Sequence, residues 1–95
     1  MRTLLVTVGT SLLTNARREF KKQKLNDQEI AHYLRHSSPE QASAETNSLS
    51  RLLQEGDKLI FLHSQTEEGQ FCAEALRRYY DSEGYQAESL EIQDL

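Results

Sequence analysis

The stretch Thr3-Leu4-Leu5-Val6-Thr7-Val8-Gly9-Thr10-Ser11 decides the fold class. Its first six residues form a continuous apolar and β-branched run, the pattern of a strand buried on both faces inside a parallel sheet. Gly9 ends the run, and Gly9-Thr10-Ser11 reads as a turn. A helix from Leu12 to about Lys22 follows, with Ser11 and Thr14 as alternative N-caps. A buried strand that turns through glycine into a helix is the opening of a βαβ unit.

The pattern repeats outward from that opening. Asn26 and Glu29 have capping-box spacing before Ile30, Ala31 and Leu34. Ser38 and Pro39 mark a firmer helix start; Ala42, Leu49, Leu52 and Leu53 are expected to carry that helix to Gly56. Lys58 to His63 (KLIFLH) reads as a second strand, Ser64 to Gly69 as a polar loop, and Phe71, Cys72, Ala75, Leu76 and Tyr79 as one face of the next helix. Gly84 stops that helix, and Tyr85 to Ile92 reads as a third strand. Helical crossovers of these lengths imply parallel strands. The expected class is α/β, Rossmann-like and three-layer, with a small, mainly parallel sheet. All 95 residues, 1–95, fit a single domain.

Charge narrows the partners. Eleven Lys and Arg stand against fifteen Asp and Glu, giving a net charge of −4. A protein that coats duplex DNA needs a basic surface, so no duplex DNA partner is expected. The densest basic stretch, Arg17 to Lys24, reads as a solvated helix face. Backbone N–H groups at helix starts still suit a small anion. Cys72 is the only cysteine, which excludes an internal disulfide and reads as a buried thiol. No run approaches the ~18 apolar residues of a membrane span, and no signal-peptide pattern is present. No membrane partner is expected, and the expected location is cytoplasmic.

Ligands of open parallel sheets bind beyond the C-terminal strand ends. Two loops qualify: Gly9 to Ser11 and Ser64 to Gly69. Gly9 permits close backbone approach, Thr10 and Ser11 add hydroxyl donors, and Thr66 and Gly69 repeat that chemistry. Ordinary capped turns account for the same residues. There is neither G-x-G-x-x-G spacing nor a Walker A lysine, which disfavours nicotinamide and ATP sites. His32 and His36 lack the glutamate of a zinc-protease helix and read as solvated, so no metal or other cofactor is expected. His63 ends the second strand beside the cleft as a polar contact. Glu67 and Glu68 fit the first turn of a helix, where the dipole favours them.

Three segments in order carry a resemblance. Leu4 to Asn15 (LLVTVGTSLLTN), Ser43 to Leu49 (SAETNSL) and His63 to Leu76 (HSQTEEGQFCAEAL) resemble the CRISPR-associated Rossmann fold (CARF) domains of type III CRISPR accessory ribonucleases. The resemblance implies a homodimer whose two-fold axis passes through a pocket for cyclic tetra-adenylate or cyclic hexa-adenylate. By motif, Gly9, Thr10 and Ser11 line the phosphate–ribose ring, and Ser64, Thr66 and Gly69 form the second wall. Asn15 and Glu45 either order the loops or touch the ligand. Domains of this family continue well past the third strand, whereas the sequence stops at Leu95; a natural stand-alone form, a truncated gene product and a fragment are the alternatives, and the ribonuclease activity of larger relatives is not carried over. The expected function is a sensor or regulatory module of antiviral defence. One alternative is a metal-independent ring nuclease, with Ser11 orienting the reacting group. The other is an oligomerisation domain without ligand.

Overall fold

A computed structural model describes residues 2–93. The elements run β1 (Thr3–Thr7), α1 (Ser11–Phe20), α2 (Asp27–His36), α3 (Pro39–Ala42), α4 (Ala44–Leu52), β2 (Lys58–His63), α5 (Glu67–Ser82) and β3 (Gln86–Glu91). The three strands form one parallel sheet in the order β1-β2-β3. Leu5 stands opposite Ile60, and Ile60 opposite Glu88. The α/β class, the parallel sheet and the flanking helices are those read from sequence.

The strand order advances in one direction only. Two crossovers of the same hand then lay their helices on the same face. Burial follows that geometry. Leu59, Phe61 and His63 alternate inward along β2, and Phe61 stacks on Tyr80 of α5 with ring centroids 5.9 Å apart. Leu4 and Val6 pack against the same core. The other face displays Leu5, 66% exposed, and Leu90, 55% exposed. Among the described residues the sheet and one helical layer are formed, and the opposite face is open; this is compatible with a Rossmann-like three-layer fold.

That open face corrects one expectation. β1 is an edge strand, covered on one side only, so an apolar run here does not mean burial on both faces. A second correction concerns the helix expected from Ser38 to Gly56. It breaks at Ser43, whose backbone is extended (φ −162°, ψ 167°). Ser43 and Thr46 cap reciprocally: the Ser43 hydroxyl accepts from the Thr46 N–H, and the Thr46 hydroxyl accepts from the Ser43 N–H, each at 3.0 Å. A capping box so deeply buried starts a new helix rather than continuing the old one. The expected box at Asn26 and Glu29 is present.

At the opposite end of the sheet from the candidate loops, Arg2 forks onto Asp57 at 3.1 and 2.6 Å. Asp57 also accepts from the Gln54 N–H. The guanidinium holds the Asp57 carboxyl below its ordinary range. No helix among the described residues is long and apolar enough to cross a membrane.

Candidate functional site

Parallel pairing fixes where the two loops meet. Thr7 stands beside Leu62, and the Val8 N–H donates to the Leu62 carbonyl at 2.8 Å. The chain therefore leaves β1 and β2 side by side, with Gly9–Ser11 and Ser64–Thr66 as neighbours on the C-terminal rim of the sheet. Each loop runs directly into a helix.

The second loop closes on itself. The Thr66 hydroxyl accepts from the Gly69 N–H at 3.0 Å, capping α5, and lies 3.1 Å from the Ser64 hydroxyl. Gly69 is buried, and a Cβ there would stand 2.8 Å from Thr66 Oγ1 and 3.1 Å from Ser64 Oγ. Glycine is thus required by the loop's own cap. Glu67 and Glu68 occupy the first turn of α5, where they favour its positive end.

The first loop is closed from outside. The N-cap of α1 is Thr10, not Ser11 or Thr14, and its side chain makes no capping bond. Glu45, 6% exposed, is the acceptor for the residue just before that cap. Its Oε2 takes the Gly9 N–H at 3.1 Å, and its Oε1 lies 3.5 Å from the Ser11 hydroxyl. Ser11 in turn accepts from the Ala44 N–H at 2.9 Å, tying the head of α1 to the head of α4. Asn15 extends the tie by donating to the carbonyls of Gln41 and Ala42, both at 3.2 Å.

The sequence candidates therefore fall into two hydrogen-bonded sets. Gly9, Ser11 and Glu45 form one; Ser64, Thr66 and Gly69 form the other. Asn15 stands one turn deeper as an anchor between helices. His63 is 5% exposed, on the helix-covered side of β2, and its Nδ1 lies 2.8 Å from the Ser64 carbonyl. It supports the second loop from beneath. Thr10 and Gly9 are exposed, and a Cβ at Gly9 would meet nothing within 4 Å, so the space above this loop is open.

Arg17, one to two turns into α1, is engaged elsewhere. Arg17 donates to the Gln23 carbonyl at 2.9 Å and pairs with Glu68 at 2.8 Å. Among the described residues no group of three His, Cys, Asp or Glu is placed to hold a metal ion. Cys72 lies fully in the core, and burial pushes its thiol up to about 11, leaving it protonated at neutral pH.

What sequence reading missed is Ser43 and Ala44. The helix break at Ser43 places Glu45 in the first turn of α4, and only from there does its carboxylate reach Gly9. The Ser-Ala-Glu-Thr order was a usable signal: a capping hydroxyl, an acid in the first turn, and a second hydroxyl three residues on.

In open parallel α/β sheets, ligands bind beyond the C-terminal ends of the strands, which is the rim where the two helix-opening loops of this domain lie. A family model described as CRISPR-associated protein (Cas_APE2256) matches residues 40–95, more than half of the chain. The chain belongs to that family, and its role is in CRISPR defence. The matched segment includes Glu45 and the Ser64–Gly69 loop, whereas Gly9–Ser11 precedes it. No curated protein matches the chain.

Proposed function

We propose that this chain is a CARF-type sensor domain that binds cyclic oligoadenylate, cyclic tetra-adenylate first among the rings, as a homodimer in type III CRISPR defence. The observation that carries the reading is the register of β1 and β2, which sets the Gly9–Ser11 and Ser64–Thr66 loops side by side in a CRISPR-associated chain. Gly9, Thr10 and Ser11 form one wall of the ligand cleft. Ser64, Thr66 and Gly69 form the other, with His63, Asn15 and Glu45 holding both in shape. A two-fold axis through the cleft doubles each contact.

Binding is favoured over ring cleavage by the state of Ser11. Its hydroxyl is already held between Ala44 and Glu45, and the nearby Arg17 is paired with Glu68. Metal-independent cleavage needs an oriented 2′-hydroxyl and donors facing the phosphoryl oxygens; a hydroxyl engaged beside a carboxylate is poorly suited to that task.

Incubating the purified chain with labelled cyclic tetra-adenylate tests both readings. Retention of intact ring by a dimer is expected, with linear tetra-adenylate held far more weakly, because a closed ring has less conformational entropy to lose. Equal affinity for ring and linear strand overturns ring sensing. Rapid conversion to a 2′,3′-cyclic phosphate product makes the chain a ring nuclease. No retention of either, with a stable dimer, leaves an oligomerisation domain.

A further inference from the structure

Among the described residues, four helices run for more than two turns, and three of them end on basic side chains: Arg17 and Arg18 in α1, Arg35 and His36 in α2, and Arg51 in α4. The fourth, α5, is the longest at 16 residues and has no basic residue in its last turn. The C-terminal end of a helix is the negative pole of its dipole and favours a cation. The nearest arginines are drawn to other partners, Arg77 to Glu74 at 3.1 Å and Arg78 to Asp27 at 3.4 Å.

That uncompensated end borders a cavity of about 280 Å³, lined chiefly by Tyr79, Tyr80, Glu83 and Tyr85, with Leu49 and Leu53 of the neighbouring segment. Tyr80 meets Tyr79 at 83° with ring centroids 5.0 Å apart, and Tyr85 at 68° with centroids 6.3 Å apart. Rings crossed in this way form a corner, whereas a parallel stack would hide its faces against one another. Aromatic faces carry the negative part of the ring quadrupole and attract cations. Glu83 adds an exposed carboxylate that takes part in none of the ion pairs among the described residues. Burial and then that carboxylate push the Tyr79 phenol up.

We infer that this cavity is a binding site for an alkylammonium cation, carried by a free polyamine or by a lysine side chain. The helix pole, the Glu83 carboxylate and the tyrosine faces all attract the same sign of charge. Leu49 and Leu53 offer apolar surface to the methylene groups that flank such a head, whereas a hydrated inorganic cation would shed its water against them at a cost. Tyr85 stands immediately before β3, at the rim opposite the candidate loops, so the site is independent of the cyclic oligoadenylate reading.

The test is a titration of isotopically labelled chain with choline and with neohexanol, in which carbon replaces the charged nitrogen, read at the tyrosine ring resonances. Choline is expected to shift Tyr79 and Tyr85 and to saturate, while Tyr33, outside the cavity, stays unmoved. Neohexanol is expected to bind at least about fivefold more weakly. Tyr85→Leu keeps apolar volume but removes a ring face, and should weaken choline about fivefold. Glu83→Gln should weaken choline by about two- to fivefold and leave neohexanol unchanged; this exposed position is the deciding variant if Tyr85→Leu does not fold. Spermidine and N-acetyl-lysine amide, titrated in parallel, distinguish a free polyamine from a lysine side chain as the source of the ammonium group. Equal affinity for choline and neohexanol would reduce the cavity to an apolar gap and overturn the inference. Choline that leaves both rings unmoved, or a folded Glu83→Gln with unaltered choline affinity, overturns it as well.

Discussion

Thr66 closes the head of α5 with its own hydroxyl, three residues from the N–H it caps, whereas the loop before α1 is pinned at Gly9 by a carboxylate 36 residues further along the chain. The two loops leave adjacent strands at the same rim, and each has to fix its backbone with a side-chain acceptor. One does so locally and with a neutral group. The other borrows a charged group that arrives only when α4 has formed and docked. The local cap costs little to assemble, because a short loop is already closed. The borrowed carboxylate makes the geometry of the first loop report on the packing of α1 against α3 and α4.

The largest expected effect follows from removing the borrowed carboxylate. Glu45→Ala is expected to destabilise the domain by about 2 kcal/mol, the scale of a hydrogen bond to a charged group together with the donors left behind. Ser11→Ala removes part of the same network, so the double substitution should cost less than the sum of the two, by about 1 kcal/mol. Thr66→Ala combined with Glu45→Ala should instead add to within about 0.5 kcal/mol, because the two residues share no hydrogen-bond partner. Chemical denaturation of the five variants and the wild type measures every leg. Coupling between Thr66 and Glu45 as large as that between Ser11 and Glu45 would erase the distinction between the two loops.

The self-closed loop has its own weak point at Gly69. Alanine there gains helix propensity, worth about 1 kcal/mol. Its Cβ, however, would stand 2.8 Å from the capping oxygen of Thr66. Displacing that oxygen forfeits the cap, about 1 kcal/mol, and adds crowding of about 1–3 kcal/mol. The net expectation for Gly69→Ala is a loss of about 1–3 kcal/mol, and for Thr66→Ala about 1 kcal/mol. The double variant sharpens the comparison: without the Thr66 hydroxyl, Gly69→Ala should turn from harmful to nearly neutral, as thermal denaturation would show.

The contrast between the loops also explains what was legible in the sequence. KLIFLH gave β2 with its true bounds, and Asn26 with Glu29 gave the start of α2, because periodicity and local caps are written in neighbouring residues. Ser64, Thr66 and Gly69 could be grouped for the same reason. The link from Glu45 to Gly9 could not be read that way, since it depends on a helix break at Ser43 and on the docking of α4. The helical pattern of Ala42, Leu49, Leu52 and Leu53 hid that break. The open face of the sheet was hidden differently: TLLVTV has the composition of a strand covered on both sides, and composition does not record strand order.

Acid should act away from both loops. The Asp57 carboxyl is held low by Arg2 in the folded chain, and the same group titrates in its ordinary range when unfolded. Its contribution is therefore complete above the ordinary carboxylate range and is lost as pH falls through the depressed value. Glu74, held low chiefly by the Ser89 hydroxyl and then by Arg77, acts in the same sense. Stability measured from neutral pH downward should decline below the ordinary carboxylate range, and Asp57→Asn should flatten part of that decline. An unchanged acid limb in the variant would show that the Arg2–Asp57 clamp is not what acid releases.

The smallest stability effect is expected at Thr10, and it sharpens the comparison most. Thr10 is the N-cap of α1 by position but makes no side-chain cap bond; its backbone carbonyl, which alanine retains, accepts from the Thr14 N–H at 3.1 Å. Thr10→Ala should therefore change stability by no more than about 0.5 kcal/mol, the range of an exposed surface substitution. A helix that relied on its local cap would lose about 1 kcal/mol from the same change. The hydroxyl is exposed on the open side of the first loop, so its removal bears on ligand rather than fold. If two copies share one ring, two hydrogen bonds of about 1 kcal/mol each disappear, and cyclic tetra-adenylate affinity should fall about tenfold or more. A melting curve and a binding isotherm on this one variant read the two effects separately. A full cap-sized loss of stability would mean that Thr10 closes α1 itself, and the borrowed carboxylate of Glu45 would then no longer distinguish the first loop from the second.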